Sequence, residues 1–353
     1  MKKKIAITFP TVPFFSGGAE LHVEQLKQNL RRRGYDAEIV SIPHKWYPVP
    51  EIWNQMMLWK SIDLSETNGE KIDLVIGTKW PSYLARHENK IIWLIHQYRE
   101  AYDLRDETWS QFHETGPARP YLEEFVRVDT AAFHEAKKIF TISKNVSSRL
   151  QKFNGVDSEP LYHPPKFYGS YYCSEKIDNY ILSVGRLDRL KRLDLLIQAM
   201  KYTDRNIKCL IAGTGAAVVK DELEKLVEEN DLQDRVIFLG FISDEEMLRL
   251  YAGALAVFFA PHDEDYGYIT LEAFLSHKPL VTTWDAGGVL EFAEHKINAM
   301  ISDPTPAEIG KSIDYLYSHP KDARDFGELG YLKVKDITWD NALDRLLSFS
   351  GLE

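Results

Sequence analysis

Short apolar runs alternate with amphipathic segments along the whole chain. In the first half the apolar runs lie at residues 5–9, 37–40, 72–76, 91–95 and 139–142. In the second half they lie at residues 180–184, 207–211, 236–239, 256–260 and 280–282. Buried strands that alternate with amphipathic helices are typical of parallel sheets covered on both faces. The pattern therefore predicts an α/β protein built from two successive parallel-sheet units.

The alternation is interrupted between residues 154 and 179. This stretch contains Gly155, Pro160, Pro164, Pro165 and Gly169 together with four tyrosines, a composition that disfavours regular structure. A chain of 353 residues is long enough for two domains. We therefore predict an N-terminal Rossmann-like domain over residues 1–165 and a C-terminal one over residues 166–336.

Composition excludes several classes of protein. The chain is 44% hydrophobic, and no apolar stretch approaches the roughly 20 residues that a membrane-spanning helix needs. The net charge of −10 disfavours binding to nucleic acid over most of the surface, although a local peripheral contact with a membrane stays open. Cys173 and Cys209 are too few for a disulfide framework, which indicates a reducing compartment. We expect a cytoplasmic protein.

Two glutamates follow the apolar run at residues 256–260. Glu264 is expected at the carboxyl end of a strand, and Glu272 about a turn and a half into the helix that begins after Gly267, roughly 8 Å along its axis. The two carboxylates are then too far apart to act as one pair. They can instead hold two hydroxylated groups on either side of a diphosphate, with the backbone amides of residues 267–270, Tyr268 and Ile269 among them, facing the phosphates. This arrangement suits a nucleotide-sugar site.

A basic corner follows the strand at residues 180–184. Gly185 allows the turn, and Arg186 and Lys191 precede the next helix. Two cations at this position can neutralise a diphosphate and then stabilise the charge of the leaving group, and Arg189 and Arg192 add to the same corner. An ordinary charged helix start is the alternative. With these cations present, the acidic stretch Asp263-Glu264-Asp265 does not require a metal, and we predict no metal and no cofactor.

Three further positions at predicted strand ends are candidates for ligand contact. Gly17 and Gly18 lie between the first strand and a helix whose unpaired amides can face an anion. His96 ends the strand at residues 91–95, where an imidazole can reach substrate. The segment Gly213-Thr214-Gly215 is similar to a dinucleotide-binding loop, but Val218 stands where a third glycine is needed, so it is weak support for NAD.

Taken together in order, these motifs resemble glycosyltransferase family 4, the retaining enzymes with the GT-B fold of two Rossmann-like domains that face each other across a cleft. The matching elements are Gly17-Gly18-Ala19-Glu20, Gly185-Arg186-Leu187 with Lys191, Gly213-Thr214-Gly215, Leu239-Gly240-Phe241, the pair Glu264 and Glu272, and Gly287-Gly288 with Glu291. The sequence departs from the family at two positions: Arg192 replaces the usual glycine after the lysine, and His262 replaces a frequent serine.

The resemblance implies a role for each matched position. Arg186 and Lys191 would hold the donor diphosphate, Glu264 the donor sugar and Glu272 the ribose. Gly17 and Gly18 would lie near the phosphates, His96 would touch the sugar, and Gly240 and Phe241 would flank the base. The last helix, in residues 337–353, would return to the N-terminal domain.

The predicted function is transfer of a hexose-type sugar from a nucleoside-diphosphate sugar to a hydroxyl acceptor, with retention of the anomeric configuration. The acceptor class stays open between saccharide, lipid-linked and small-molecule acceptors, and polysaccharide or glycoconjugate assembly is the expected context. Two alternatives share this architecture: a nucleotide-sugar epimerase or hydrolase, and a sugar-nucleotide binding module without catalysis. The base, the sugar, the linkage and the oligomeric state are not encoded in these motifs.

Overall fold

The protein is described by a computed structural model that covers residues 2–14, 17–108, 110–113, 115 and 117–352. It divides into two compact units. The first runs through Lys166 and resumes at Trp339, and the second is Phe167–Thr338. Each unit contains one six-stranded sheet.

The sheet of the first unit is parallel throughout. Its strands follow the order β2-β1-β5-β6-β7-β8, and β3 and β4 form a separate antiparallel pair. The strands are β1 (Lys4–Thr11), β2 (Asp36–Pro43), β3 (Glu66–Thr67), β4 (Glu70–Lys71), β5 (Leu74–Gly77), β6 (Lys90–Leu94), β7 (Lys138–Thr141) and β8 (Glu159–Pro160). β3, β4 and β8 were not predicted, because strands of two residues carry no apolar run that periodicity can detect.

The helices that precede the second unit are α1 (Gly18–Arg32), α2 (Val49–Ser61), α3 (Arg119–His134) and α4 (Lys144–Asn154). α4 illustrates how local sequence sets the bounds of a helix. The Ser143 hydroxyl accepts a hydrogen bond from the backbone N–H of Val146 at 3.0 Å, which satisfies one of the unpaired amides at the helix start. Gly155 ends the helix in the left-handed conformation, at φ +63°.

The second unit repeats the plan. Its parallel sheet has the order β11-β10-β9-β12-β13-β14. The strands are β9 (Tyr180–Val184), β10 (Lys208–Ala212), β11 (Val236–Gly240), β12 (Ala256–Phe258), β13 (Leu280–Thr283) and β14 (Ala299–Ser302). The helices are α5 (Leu193–Ala199), α6 (Ala217–Glu229), α7 (Asp244–Gly253), α8 (Tyr268–Leu275), α9 (Pro306–Ser318) and α10 (Pro320–Val334). β14 was missed by the sequence analysis.

The core of the second unit forms between this sheet and its helices. Ile181 on β9, Phe258 on β12 and Val281 on β13 are fully buried, and they share one apolar cluster with Ile197 on α5 and Ile313 on α9. Since the strands are apolar on both faces, they are buried whichever way a side chain points. The carboxyl ends of the strands are thereby held at one rigid edge.

The last helix, α11 (Trp339–Leu347), belongs to the first unit. Its buried face consists of Ala342, Leu343 and Leu346. Arg33, which directly follows α1, donates to Asp344, and this ion pair lies at the surface, where such pairs contribute little to stability. Burial of the apolar face is therefore the main force that holds α11 in place. Among the described residues, no helix is both long and apolar enough to cross a bilayer.

A buried carboxyl in the first unit makes stability depend on pH. Asp129 on α3 is fully buried, and the Tyr102 hydroxyl donates to it at 2.5 Å. Burial raises the pKa of Asp129 from 3.8 to about 7, although the hydrogen bond from Tyr102 opposes the shift. Between those two values the folded protein binds a proton that the unfolded chain does not. The free energy of unfolding consequently falls as pH rises through this window.

We expect Asp129→Asn to stabilise the protein more at pH 8 than at pH 5, because an amide can accept the Tyr102 hydrogen bond and cannot ionise. The extra gain at pH 8 should be roughly 2–3 kcal/mol. Urea denaturation at the two pH values measures it. An equal effect at both would show that Asp129 does not titrate in this window.

Candidate active site

The predicted donor-binding residues of the second unit gather at the carboxyl ends of its central strands. β9 and β12 are neighbours in the sheet, so the segments that follow them start side by side. After β9 come Gly185, Arg186 and a short 3-10 helix, Arg189–Lys191. The Asp188 carboxylate caps this helix by accepting from the backbone N–H of Leu190 at 2.9 Å. The cap fixes the turn from which Lys191 projects.

Lys191 and Glu264 are in direct contact. The Lys191 ammonium donates to the Glu264 carboxylate at 2.6 Å, and the two side chains are 23% and 24% exposed. The ammonium also lies 5.1 Å from the centre of the Phe259 ring. The sequence analysis assigned this cation to a diphosphate and this carboxylate to a sugar. The structure brings the two groups to one point.

The remaining cations of the basic corner differ in their surroundings. Arg186 is 51% exposed, with its guanidinium 3.7 Å from the Asp188 carboxylate. Arg189 is paired with Glu222 on α6 at 2.6 Å, and Arg192 is bound to Asp285 at 2.8 Å. The expectation that Arg189 and Arg192 add to a diphosphate-binding corner stays a prediction, and both guanidinium groups hold carboxylate partners, as the Lys191 ammonium does. Arg186 and Lys191 stay the predicted diphosphate-binding cations.

Glycines bring the ends of β9, β10 and β11 together. The amide of Gly185 donates to Ala212 at 2.9 Å, and the amide of Gly213 donates to the carbonyl of Gly240 at 2.8 Å. A Cβ atom on Gly213 would lie 1.7 Å from the carbonyl oxygen of Gly185. Gly213 therefore permits backbones to touch. Phe241, next to Gly240, is 87% exposed at this edge.

The loop between β12 and α8 is tied to the loop after β13 by backbone hydrogen bonds. The amide of Glu264 donates to Ala286 at 3.2 Å, and the amide of Gly288 donates back to Glu264 at 2.7 Å. A Cβ atom on Gly288 would lie 2.5 Å from the carbonyl oxygen of Asp265, so this approach also requires glycine. The glycine motif of the β13 loop thus supports the backbone that carries Glu264.

α8 begins directly after Gly267, which has φ +84° in the left-handed region. Tyr268 and Ile269 form the first turn of the helix, where amides lack acceptors within the helix. The amide of Thr270 donates to the carbonyl of Gly267 at 3.0 Å, so the expectation that it also faces a phosphate was wrong. Of the four predicted amides, those of Gly267, Tyr268 and Ile269 stay candidates for phosphate contact.

Glu272 has partners of its own. It lies in the second turn of α8, and the hydroxyl of Tyr251 donates to its carboxylate at 2.7 Å. Burial raises the pKa of Glu272 above its usual range, although the hydrogen bond from Tyr251 opposes the shift. The two glutamates are therefore held separately, one by a lysine and the other by a tyrosine. Sequence reasoning missed Tyr251, because a tyrosine inside an amphipathic helix gives no signal of its partner.

The first unit carries the other predicted contacts at the carboxyl edge of its own sheet. Gly17 precedes α1, and its amide donates to the Glu20 carboxylate at 2.9 Å. Glu20 thus caps the start of the helix that Gly18 begins. Phe15 and Ser16, which belong to the same motif, lie outside the described residues.

His96 follows β6 in this unit and is partly exposed. Its Nδ1 atom lies 2.5 Å from the carbonyl oxygen of Gln97, a distance that fixes the ring by a hydrogen bond. Because β1 and β6 are parallel members of one sheet, Gly17 and His96 lie at the same edge. Over the described ranges, no group of three or more His, Cys, Asp or Glu side chains is placed to hold a metal ion.

Comparison with known proteins defines the class. Residues 174–333 match the family model of glycosyl transferases group 1. An uncharacterized glycosyltransferase from Methanocaldococcus jannaschii is 23% identical over 96% of this chain and 95% of its own. The chain spans about half the length of other curated glycosyltransferases that it matches.

Solved structures agree on the fold. Sucrose-phosphate synthase from Thermosynechococcus elongatus superposes with a TM-score of 0.81 over 99% of both chains at 17% identity. HepE from Anabaena, solved in complex with UDP-glucose, superposes with a TM-score of 0.71 over 98% of both chains at 15% identity. The protein has the GT-B fold. It is a transferase enzyme of the glycosyltransferase class.

Proposed function

We propose that the protein is a retaining glycosyltransferase that moves a hexose-type sugar from a nucleoside-diphosphate sugar to a hydroxyl acceptor. The observation that carries this proposal is the contact between Lys191 and Glu264 at the ends of two neighbouring strands. A cation suited to phosphate and a carboxylate suited to sugar hydroxyls lie within 2.6 Å of each other. A donor has its phosphate and its sugar joined by one bond, so its two halves require such neighbours.

The charges of this site suit a dianionic ligand. Without ligand, Lys191 and Glu264 neutralise each other. A diphosphate offers Lys191 a stronger anionic partner and frees a Glu264 oxygen to accept from a sugar hydroxyl. Arg186 supplies a second cation at the same corner, and the first-turn amides of α8 offer donors to phosphate oxygen. Glu272, oriented by Tyr251, is assigned to the ribose.

The proposed reaction needs no nucleophile from the protein. The bond between the anomeric carbon and the phosphate oxygen breaks, and its electron pair remains on the leaving nucleoside diphosphate. The acceptor oxygen forms a bond to the anomeric carbon from the same face, and its proton passes to the leaving phosphate. Arg186 and Lys191 stabilise the charge that develops there, so the proposal assigns no metal or cofactor. Gly17, Gly18 and His96 are assigned to the donor phosphates and sugar.

The similarity to a fold solved with UDP-glucose supports a nucleotide-sugar donor. The acceptor class is left open between saccharides, lipid-linked saccharides and small molecules, in polysaccharide or glycoconjugate assembly. The proposal places the reaction in the cytoplasm, which the two unpaired cysteines, one exposed and one buried, support.

The decisive experiment offers the protein a panel of nucleoside-diphosphate sugars with hydroxyl acceptors and follows the product by proton NMR. We expect release of nucleoside diphosphate that depends on acceptor, and a product whose anomeric configuration matches the donor. The spectrum reports this through the coupling of the anomeric proton.

Other outcomes would redirect the assignment. An inverted anomeric centre would refute the same-face mechanism. Conversion of donor alone, faster than with any acceptor, would indicate the epimerase or hydrolase. Tight donor binding in calorimetry without turnover across the panel would indicate a binding module.

A further inference from the structure

Arg192 occupies a backbone position that favours glycine. It separates the 3-10 helix Arg189–Lys191 from α5, and its φ of +49° lies in the left-handed region. Glycine adopts this conformation without steric cost, and other residues adopt it rarely. An arginine adopts this conformation only with backbone strain. The contacts of its side chain therefore have to account for its presence.

That side chain makes a dense set of hydrogen bonds. The guanidinium donates to both oxygens of the Asp285 carboxylate at 2.8 Å and to the Thr283 hydroxyl at 2.8 Å. It also donates at 2.8 Å to the backbone carbonyls of Ala260 and Pro261. The Arg192 side chain is 16% exposed. A planar fork of donors matches a bidentate carboxylate and two carbonyls at once, which the single ammonium of lysine does not.

These bonds connect the segments that carry the candidate active site. Ala260 and Pro261 begin the loop that leads to Glu264. Thr283 is the last residue of β13, and Asp285 lies in the loop that follows it. The residue before Arg192 is Lys191, the partner of Glu264. The Arg192 guanidinium thus connects the turn that carries Lys191 to the start of the loop that carries Glu264.

A backbone hydrogen bond also joins the two loops. The amide of Asp263 donates to the backbone carbonyl of Asp285 at 2.9 Å, one residue before Glu264. Burial by itself would raise the pKa of the Asp285 carboxyl, but hydrogen bonds from Arg192 and Thr283 lower it to about 2. Asp285 is therefore ionised throughout the physiological range, and the ion pair with Arg192 persists.

We propose that Arg192 is a positioning residue that sets the distance between the Lys191 ammonium and the Glu264 carboxylate through its bonds to Asp285, Ala260 and Pro261. This inference rests on the proposed function of the site. All three guanidinium nitrogens of Arg192 donate to protein acceptors, so the proposal assigns it no contact with the donor. Hydrogen bonds from the Arg192 side chain take the place of the close turn that a glycine would make here. We call this set of hydrogen bonds the clamp.

The test compares Arg192→Gly and Arg192→Lys with the wild type, using Arg249→Ala as the matched control. Glycine suits the backbone at this position and removes only the clamp, so we expect the midpoint of urea unfolding to stay close to wild type. We expect kcat/KM for sugar transfer to fall about 100-fold in both Arg192 variants, the size of effect that a misplacement of about 1 Å produces. Arg249→Ala, which breaks only a surface pair with Glu246 on α7, should keep wild-type activity.

A double-mutant cycle with Glu264→Gln separates positioning from a general structural role. If Arg192 acts by placing Glu264 against Lys191, Arg192→Gly should cost less than about 3-fold once Glu264 is replaced. An unchanged 100-fold loss in that background, or wild-type activity of both single Arg192 variants, would overturn the inference. If Arg192→Gly unfolds, Arg192→Lys and its cycle decide the question in the same way.

The two proposals fail differently in this experiment. A wild-type protein that transfers no sugar from any donor refutes the proposed function. A wild-type protein that transfers sugar and does not depend on Arg192 refutes only the positioning role.

Discussion

Replacing Lys191 with alanine is expected to lower kcat/KM for sugar transfer by a factor that corresponds to a loss of about 2–4 kcal/mol in transition-state stabilisation. In the proposed mechanism the ammonium stabilises charge that appears on the phosphate only as the donor bond breaks. Its removal also breaks the ion pair with the Glu264 carboxylate, which is 24% exposed. Steady-state kinetics over a range of donor concentrations measures the effect.

The pattern of the constants tells what Lys191 does. Equal falls in kcat and kcat/KM would place its contribution in the transition state, whereas a rise in KM alone would limit it to donor binding. Lys220→Ala is the matched control, since Lys220 forms an exposed i,i+4 pair with Glu224 on α6. Unchanged turnover in Lys191→Ala would remove this residue from the mechanism.

Gly213→Ala is expected to destabilise the second unit by roughly 3–5 kcal/mol, a large effect for the addition of one methyl group. The new Cβ would meet the carbonyl oxygen of Gly185 at 1.7 Å, and φ at Gly213 is +141°, a value that side chains rarely permit. Relief of the clash requires that the ends of β9 and β10 separate. Urea denaturation followed by circular dichroism measures the loss.

Gly240→Ala provides the control for strain without a clash. Gly240 also has positive φ, +66°, but a Cβ atom there meets nothing within 4 Å. Its substitution should cost only about 1–2 kcal/mol. If Gly213→Ala and Gly240→Ala destabilise the protein equally, the close approach of the strand ends is not what requires glycine at position 213.

The pairing of Lys191 with Glu264 has a consequence for ligand binding. In the proposed mechanism a donor replaces an existing ion pair rather than entering a site with two uncompensated charges. Part of the Coulomb energy gained from the diphosphate is therefore offset by the loss of the protein's own pair. This exchange limits binding of the ground state more than stabilisation of the transition state, where the phosphate carries additional charge.

The α/β class and the strand–turn–helix placement of the motifs were accessible from the sequence. Apolar runs with helical spacing between them are set by burial alone, which explains why β9 to β13 were located to within a few residues. Turn chemistry is similarly local. Gly267 and Gly185 lie where the chain needs positive φ, and both positions could be identified without knowledge of their neighbours.

The sequence did not show β14 or the two-residue strands. β14 is a run of four buried residues after a loop, too short for its period to distinguish a strand from a buried turn. For β3, β4 and β8, pairing with a neighbouring chain segment defines the strand, and that pairing is a tertiary property.

By itself, the sequence determined which residue types stand at the carboxyl ends of the strands: two cations after β9, two glutamates around α8, and glycines at the turns. Only the tertiary structure decided which of those charges face each other. Lys191 pairs with Glu264, Arg192 with Asp285 and Glu272 with Tyr251, across separations of 73, 93 and 21 residues. Charge and spacing along the chain fix what a side chain can bind. Its actual partner depends on sheet order and loop packing, which arise only when distant strands are buried together.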